Sequence, residues 1–145
     1  MSSNDVEVWL EQWPKVAQHV RPNPALAKGL GAAARRNVGR AQRALRDGDL
    51  DAAVIWAEMA LLNGADAVLQ RDGVRVRGTE GAHQARFAYP RLPQTFTREA
   101  GLIGRARGLR NAAAYEGGGR ISKSEAQAVV AVCDQAVTEV ESLLR

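Results

Sequence analysis

Apolar residues recur along most of this chain at three- and four-residue intervals, the period of amphipathic helices rather than of strands. In the front segment Val6, Trp9, Trp13, Val16 and Val20 fall near that spacing, and Pro14 would kink or split the helix they define. Asn23 is placed to cap, and Pro24 to open, a helix over 24–46. Its apolar side runs through Leu26, Leu30, Ala33, Ala34, Val38, Ala41 and Leu45. The turn "DGD" at 47–49 breaks it, and Asp49 caps a second helix over 50–72. That helix is the most apolar in the chain, with Trp56 expected in the core among Val54, Ala57, Leu61, Val68 and Leu69. Gly64 inside it costs about 1 kcal/mol relative to alanine, which a close helix crossing would offset.

A loop with three glycines is expected over 73–81, then a short helix over 82–90 that ends before Pro90 and Pro93. "GVRVRG" at 73–78 alternates like a strand, but so short a run cannot build a sheet alone. A fourth helix is expected over 95–115, stopped by the glycines at 117–119. Ser122 and Glu125 form a capping-box pattern for a final helix, with Ala128, Val129, Val132, Ala136, Val140 and Leu143 facing the core. The sum is an all-α, antiparallel up-and-down helical bundle of four to five main helices over residues 23–145, preceded by an N-terminal helical extension over 1–22.

Composition narrows the class. A chain of 145 residues fits one domain with a sizeable core, and 46% hydrophobic with 25% charged residues is a soluble globular profile. No uninterrupted apolar run approaches the roughly 20 residues that cross a bilayer. The start, "MSSNDVEVWLEQW", is acidic and lacks the apolar segment of a signal peptide. A cytoplasmic location without membrane attachment is the expectation. Cys133 is the only cysteine, which excludes an internal disulfide and a cysteine zinc cluster, and its apolar helical surroundings read as core. Residues 21–120 hold 17 Lys+Arg against 9 Asp+Glu, a net of +8, while the rest hold 3 against 7, a net of −4. A basic middle points to an anionic partner such as nucleic acid. The dominance of arginine, with abundant Ala, Gly and Val, is equally what a GC-rich genome produces.

The chain has no Walker-type phosphate loop, no HExxH and no paired-cysteine spacing, so no metal or cofactor is expected. His19 and His83 are its only histidines. The stretch "RGLRNAAAYEGGGR" at 107–120 holds its polar interest. Arg107, Asn111 and Tyr115 follow i, i+4, i+8 on one helical stripe, with Arg110 beside them. An arginine fork can hold a phosphate, and Asn and Tyr can hydrogen-bond a phosphate or a base. A solvated helix end, with arginine complementing the dipole, is the other reading of the same residues.

The order of these segments resembles the HEPN family, in particular the small stand-alone members found beside minimal nucleotidyltransferases. The resemblance covers roughly residues 28–145. It rests on an arginine-rich helix ending in "RDGDLDAAVIWAEMALLNGADAVLQRDGVRVRG", a short helix with an early histidine in "TEGAHQARFAYPRL", and the arginine-bearing helix and capped last helix of "RGLRNAAAYEGGGRISKSEAQAVVAVCDQAVTEVESLL". It implies an up-and-down bundle that dimerises, and RNA binding with metal-independent ribonuclease activity, in some members as the toxin of a toxin–antitoxin pair. In the family's signature an arginine and a polar residue are followed by histidine; the arginine binds phosphate and the histidine moves protons. Arg110 and Asn111 match its start, but Tyr115 stands where the nucleases carry histidine. A phenol that titrates near 10 is a poor base at neutral pH, though it can still stack on a base or hydrogen-bond. The resemblance thus implies Arg110, Asn111 and Tyr115 as catalytic positions in a variant Arg-Asn-x3-Tyr arrangement. Arg107, Arg105 and His83 are the expected binding residues, with His83 either a substitute for the missing histidine or a surface or capping residue. RNA or a nucleotide, a nucleotidyltransferase-type antitoxin and a second copy of the chain are the expected partners. The alternative is a non-catalytic module that dimerises and binds a partner protein or a nucleotide-like ligand. Trp9 and Trp13 would serve either a partner or the chain's own bundle.

Overall fold

The computed structural model describes residues 4–78 and 80–145. In chain order it contains α1 (Asn4–Gln12), β1 (Ala17–His19), α2 (Pro24–Arg46), α3 (Leu50–Asp72), β2 (Val74–Val76), α4 (Ala82–Phe87), α5 (Gln94–Arg98), α6 (Ala100–Tyr115) and α7 (Lys123–Leu144). The fold is mainly all-α, a helical bundle with one small two-stranded sheet.

Local chemistry sets the helix ends. The Asn23 side chain accepts from the Leu26 N–H and Pro24 follows it; the Asp49 side chain accepts from the Ala52 N–H. Ser122 and Glu125 close a full capping box at the start of α7. Each such cap contributes about 1 kcal/mol. Gly73, in the left-handed region at φ 78°, ends α3 where a side chain would run into Pro22 and the Val20 carbonyl.

Contacts along the helices give their directions. Asn37 meets Asn63 while the Asn23 N–H bonds the Gln70 carbonyl, so α2 and α3 are antiparallel. Arg35 bonds Glu141 while Gly31 lies under Leu144, so α2 and α7 are antiparallel as well. Asp51 accepts from the Gly119 N–H just past α6 while Glu58 faces Arg110, which runs α6 opposite to α3. The four long helices therefore alternate up and down. α3 is central, with Leu61, Val68 and Leu69 fully buried. It packs on α7, where a Cβ on Gly64 would lie 3.5 Å from Val140 Cγ2, an ordinary van der Waals contact, so the crossing does not require the glycine. By length and composition α3 could also cross a membrane, and 61% of its apolar window is buried within the bundle. Cys133 is fully buried, its thiol donates to the Ala57 carbonyl at 3.2 Å, and burial pushes its pKa up to about 12.

The structure departs from the pattern reading in places that share a cause. Val16 and Val20 leave the helix after Pro14, and Ala17–His19 pairs antiparallel with Val74–Val76, register Ala17↔Val76 to His19↔Val74. The alternating "VRV" finds its partner in the front segment, so the loop expected at 73–81 contains a strand. Backbone N–H and C=O groups too few to form a sheet with themselves are satisfied by a distant strand. Of the helical extension expected over 1–22, residues 1–3 lie outside the described residues, and 4–22 hold one helix and one strand. The helix expected over 95–115 breaks at Glu99 into α5 and α6. Leu26, Ala128 and Leu143, expected in the core, are exposed. Small residues take the close contacts instead, among them Ala27, Gly31 and Ala34 on α2 and Ala126 on α7. Trp56 is only half-buried, with the Arg40 guanidinium 4.9 Å above its ring. Trp9 is the buried tryptophan, on the chain's own bundle.

Candidate functional site

Trp9 explains how α4 is held. Its indole N–H donates 2.8 Å to the Ala85 carbonyl, and its ring meets Tyr89 edge-on at 4.9 Å. Gly81, in the left-handed region at φ 82°, starts α4 beneath the Trp13 ring. The front segment thereby fixes a helix of six residues, too short to be stable unaided. His83 projects from it toward α3 and α6.

There His83 Nε2 hydrogen-bonds Glu58 Oε1 at 3.1 Å. Glu58 lies in the middle of α3 and is 2% exposed. Arg110 of α6 approaches from the other side, its Nε 4.0 Å from Glu58 Oε2. Burial pushes the Glu58 carboxyl above the ordinary glutamate range, against the downward pull of Arg110, Arg107 and Arg86. Three polar atoms here are buried without a hydrogen-bond partner among the described residues: Glu58 Oε2, Arg107 Nη1 and Arg110 Nε. Leaving such groups unpaired is costly, and their clustering at one spot marks it as a place built for something other than packing. Arg86 and Asp66 form a second pair beside it at 2.7 Å, and burial raises the Asp66 carboxyl above its ordinary range despite Arg86.

Two cavities open on this cluster. One, of about 300 Å³, is walled by Phe87 and Phe96 on one side and Ile103 and Gly104 on the other. The second, of about 510 Å³, is lined by Met59, Asn63, Asp66 and Arg86. His83 and Arg107 are the two residues that line both. Nε2 is the His83 nitrogen engaged by Glu58, and Nδ1 makes no hydrogen bond among the described residues. The arrangement places a guanidinium and an imidazole between an apolar slot and a mixed one, with the imidazole hydrogen-bonded to the buried Glu58 side chain.

The expected site residues divide. His83, Arg107 and Arg110 come together around Glu58. Asn111 touches the group from outside, accepting from Arg110 Nη1 at 3.3 Å. Tyr115 is 74% exposed at the end of α6, its ring centroid 5.5 Å from the Arg110 guanidinium. Arg105 is turned to α7, where it binds Glu125 of the capping box. The inner face of α6 therefore follows Ile103, Arg107 and Arg110, and the stripe through Asn111 and Tyr115 lies at its margin. Glu58 and Asp66 were not anticipated. The available signal was two carboxylates eight positions apart inside the most apolar helix, where burial demands a cation for each. Among the described residues no three His, Cys, Asp or Glu side chains are grouped as metal ligands would be.

Comparison of the chain with family models, characterised proteins and solved structures finds no match.

Proposed function

We propose that this chain is a HEPN-type RNA-binding protein that holds a phosphodiester on Arg107 and His83 and cleaves it without a metal. The observation that carries the reading is that these two residues stand between two cavities. A ligand that fills both has its negative charge in the middle and bulk on either side. That describes a phosphodiester and not a terminal carboxylate or monoester. Arg107, with an unspent buried N–H, supplies the charge-assisted hydrogen bonds such a phosphate takes.

The acid–base role moves from the Tyr115 position to His83. In cleavage the ribose 2′-oxygen bonds to phosphorus, the P–O5′ bond breaks, and the proton passes from the 2′-OH to His83 and on to the departing O5′. Glu58 fixes the imidazole orientation and leaves Nδ1 for this exchange. Arg107 and Arg110 balance the charge that builds on the phosphoryl oxygens. Tyr115, at the exposed edge, serves as a surface on which a base stacks. Under this reading a second copy of the chain and a nucleotidyltransferase-type antitoxin are the expected partners.

The test is single-stranded RNA incubated with the purified chain in EDTA, beside His83→Ala and Arg107→Ala. Cleavage by the wild type that both variants lose supports the reading. RNA that stays intact, or that both variants cut as fast as the wild type, overturns the ribonuclease assignment.

A further inference from the structure

The smaller cavity carries a more specific assignment, which rests on the phosphodiester reading above. One wall is a row of rings. His83 and Phe87, one turn apart on α4, have centroids 6.1 Å apart, and Phe87 and Phe96 lie nearly parallel at 6.0 Å and 21°. Phe96 is buried at the floor, and Phe87 is half-buried above it. The opposite wall is α6, where Gly104 presents no side chain and a Cβ would meet nothing within 4 Å. Arg107, one turn further along α6, also lines it. The slot is thus apolar and about 300 Å³, with one aromatic wall and with the Arg107 guanidinium and the His83 imidazole in its lining. That volume is at the small end for ligand sites.

We propose that this slot takes a nucleobase of the strand whose phosphate sits on Arg107 and His83. A flat aromatic ring matches the aromatic wall of Phe87 and Phe96, and the Arg107 guanidinium matches the anion attached to that ring through its sugar. The second cavity, beyond His83 and Arg107, takes the neighbouring nucleoside. An acyl chain would meet the apolar walls equally well, but its one charge lies at a terminus, and it would leave the second cavity unfilled. Recognition by stacking, with few hydrogen-bonding groups in the walls, makes the slot a base-binding subsite that tolerates sequence.

The probe is a 2′-fluoro diadenylate, which lacks the nucleophilic 2′-OH, alongside two versions each missing one base. Titrations followed by NMR give affinities and the shifts of the Phe87 and Phe96 ring protons. Loss of one of the two bases is expected to weaken binding about tenfold, with loss of the ring shifts. Gly104→Leu fills the slot from an open position and is expected to bind the full dinucleotide as weakly as the wild type binds that abasic probe. Gly101→Leu, on the same helix and lining neither of the two cavities, is expected to match the wild type. Phe87→Leu supplies the second arm if Gly104→Leu does not fold.

Binding of the dinucleotide that is unaffected by removal of either base overturns the slot and leaves the phosphate site standing. Unchanged affinity in Gly104→Leu, or tighter binding of a fatty acid than of the dinucleotide, does the same. A wild-type chain that binds no dinucleotide at millimolar concentration overturns both readings.

Discussion

Two arginine clusters in this molecule are built in opposite ways. Arg35 on α2 spends its guanidinium on one neighbouring helix: Nε donates to Glu141 at 3.1 Å, Nη1 to Asp134 at 2.7 Å, and Nη2 to Glu141 at 2.6 Å and Thr138 at 2.9 Å. Those hydrogen bonds, that of Glu141 foremost, hold its pKa above the usual arginine range. Arg107 and Arg110 on α6 share one buried carboxylate, the nearer of them 4.0 Å away, and each keeps a buried N–H without a hydrogen-bond partner among the described residues. A guanidinium with four of its five N–H donors matched ties helices together and has little left for a ligand. One whose donors are held in reserve beside a cavity costs the fold something and gains it only when an anion arrives. The difference separates a structural arginine from a binding one, and each side of it can be tested.

The largest effect expected is on chemistry. His83→Ala should lower the rate of RNA cleavage by about a hundredfold or more, the usual contribution of a positioned acid–base group, in single-turnover assays. RNA affinity should change far less, and a rate within a few fold of the wild type would remove His83 from the reaction. Next is binding. Arg107→Ala should weaken the affinity for single-stranded RNA about tenfold and flatten its logarithmic salt dependence by nearly one counterion, measured by fluorescence anisotropy across a salt series. Arg35→Ala should leave both quantities unmoved. Equal effects from the two variants would mean that unspent donors do not distinguish the clusters.

The Arg35 cluster should show itself in stability. Its partners are more than one-third exposed, 44% for the Asp134 side chain and 35% for Glu141, with Arg35 itself at 38%. Solvent screening therefore limits the network to about 1 kcal/mol, read as a lower urea midpoint for Arg35→Ala with RNA affinity unchanged.

How far the sequence carried this picture depends on where the information lay. α2 and α3 were legible to the residue because their ends are local chemistry: Asn23-Pro24 at one start, Asp49 at the other, and glycines 48 and 73 in the left-handed region just beyond their ends. The β1–β2 pair was not, since each strand is three residues long and pairs across more than 50 positions. Of the candidate site, the arginines of α6 were visible as residues but their inner face was not. Helical spacing groups Arg107 with Asn111 and Tyr115, whereas packing against α3 selects Arg107 and Arg110. The decisive partner, Glu58, comes from a helix read only as core. Its significance lies in the cost of burying a carboxylate, which a period count does not register.

Glu58→Gln gives the smallest effect and the finest test of that cost. Burial holds the Glu58 carboxyl above its ordinary range, so the folded chain keeps a proton that the unfolded chain releases. The stability this contributes is complete below the ordinary glutamate range, near pH 4.3, and is lost as pH rises through the raised value. Glutamine keeps the shape and can accept from His83, but does not titrate. The wild type should therefore lose stability relative to Glu58→Gln between about pH 4 and neutrality, in urea unfolding at a series of pH values. The reverse slope would mean that Arg107 and Arg110 stabilise the Glu58 anion more than burial penalises it. Glu58 would then be a spent partner like Asp134 and Glu141, and the α6 arginines would belong with Arg35 after all.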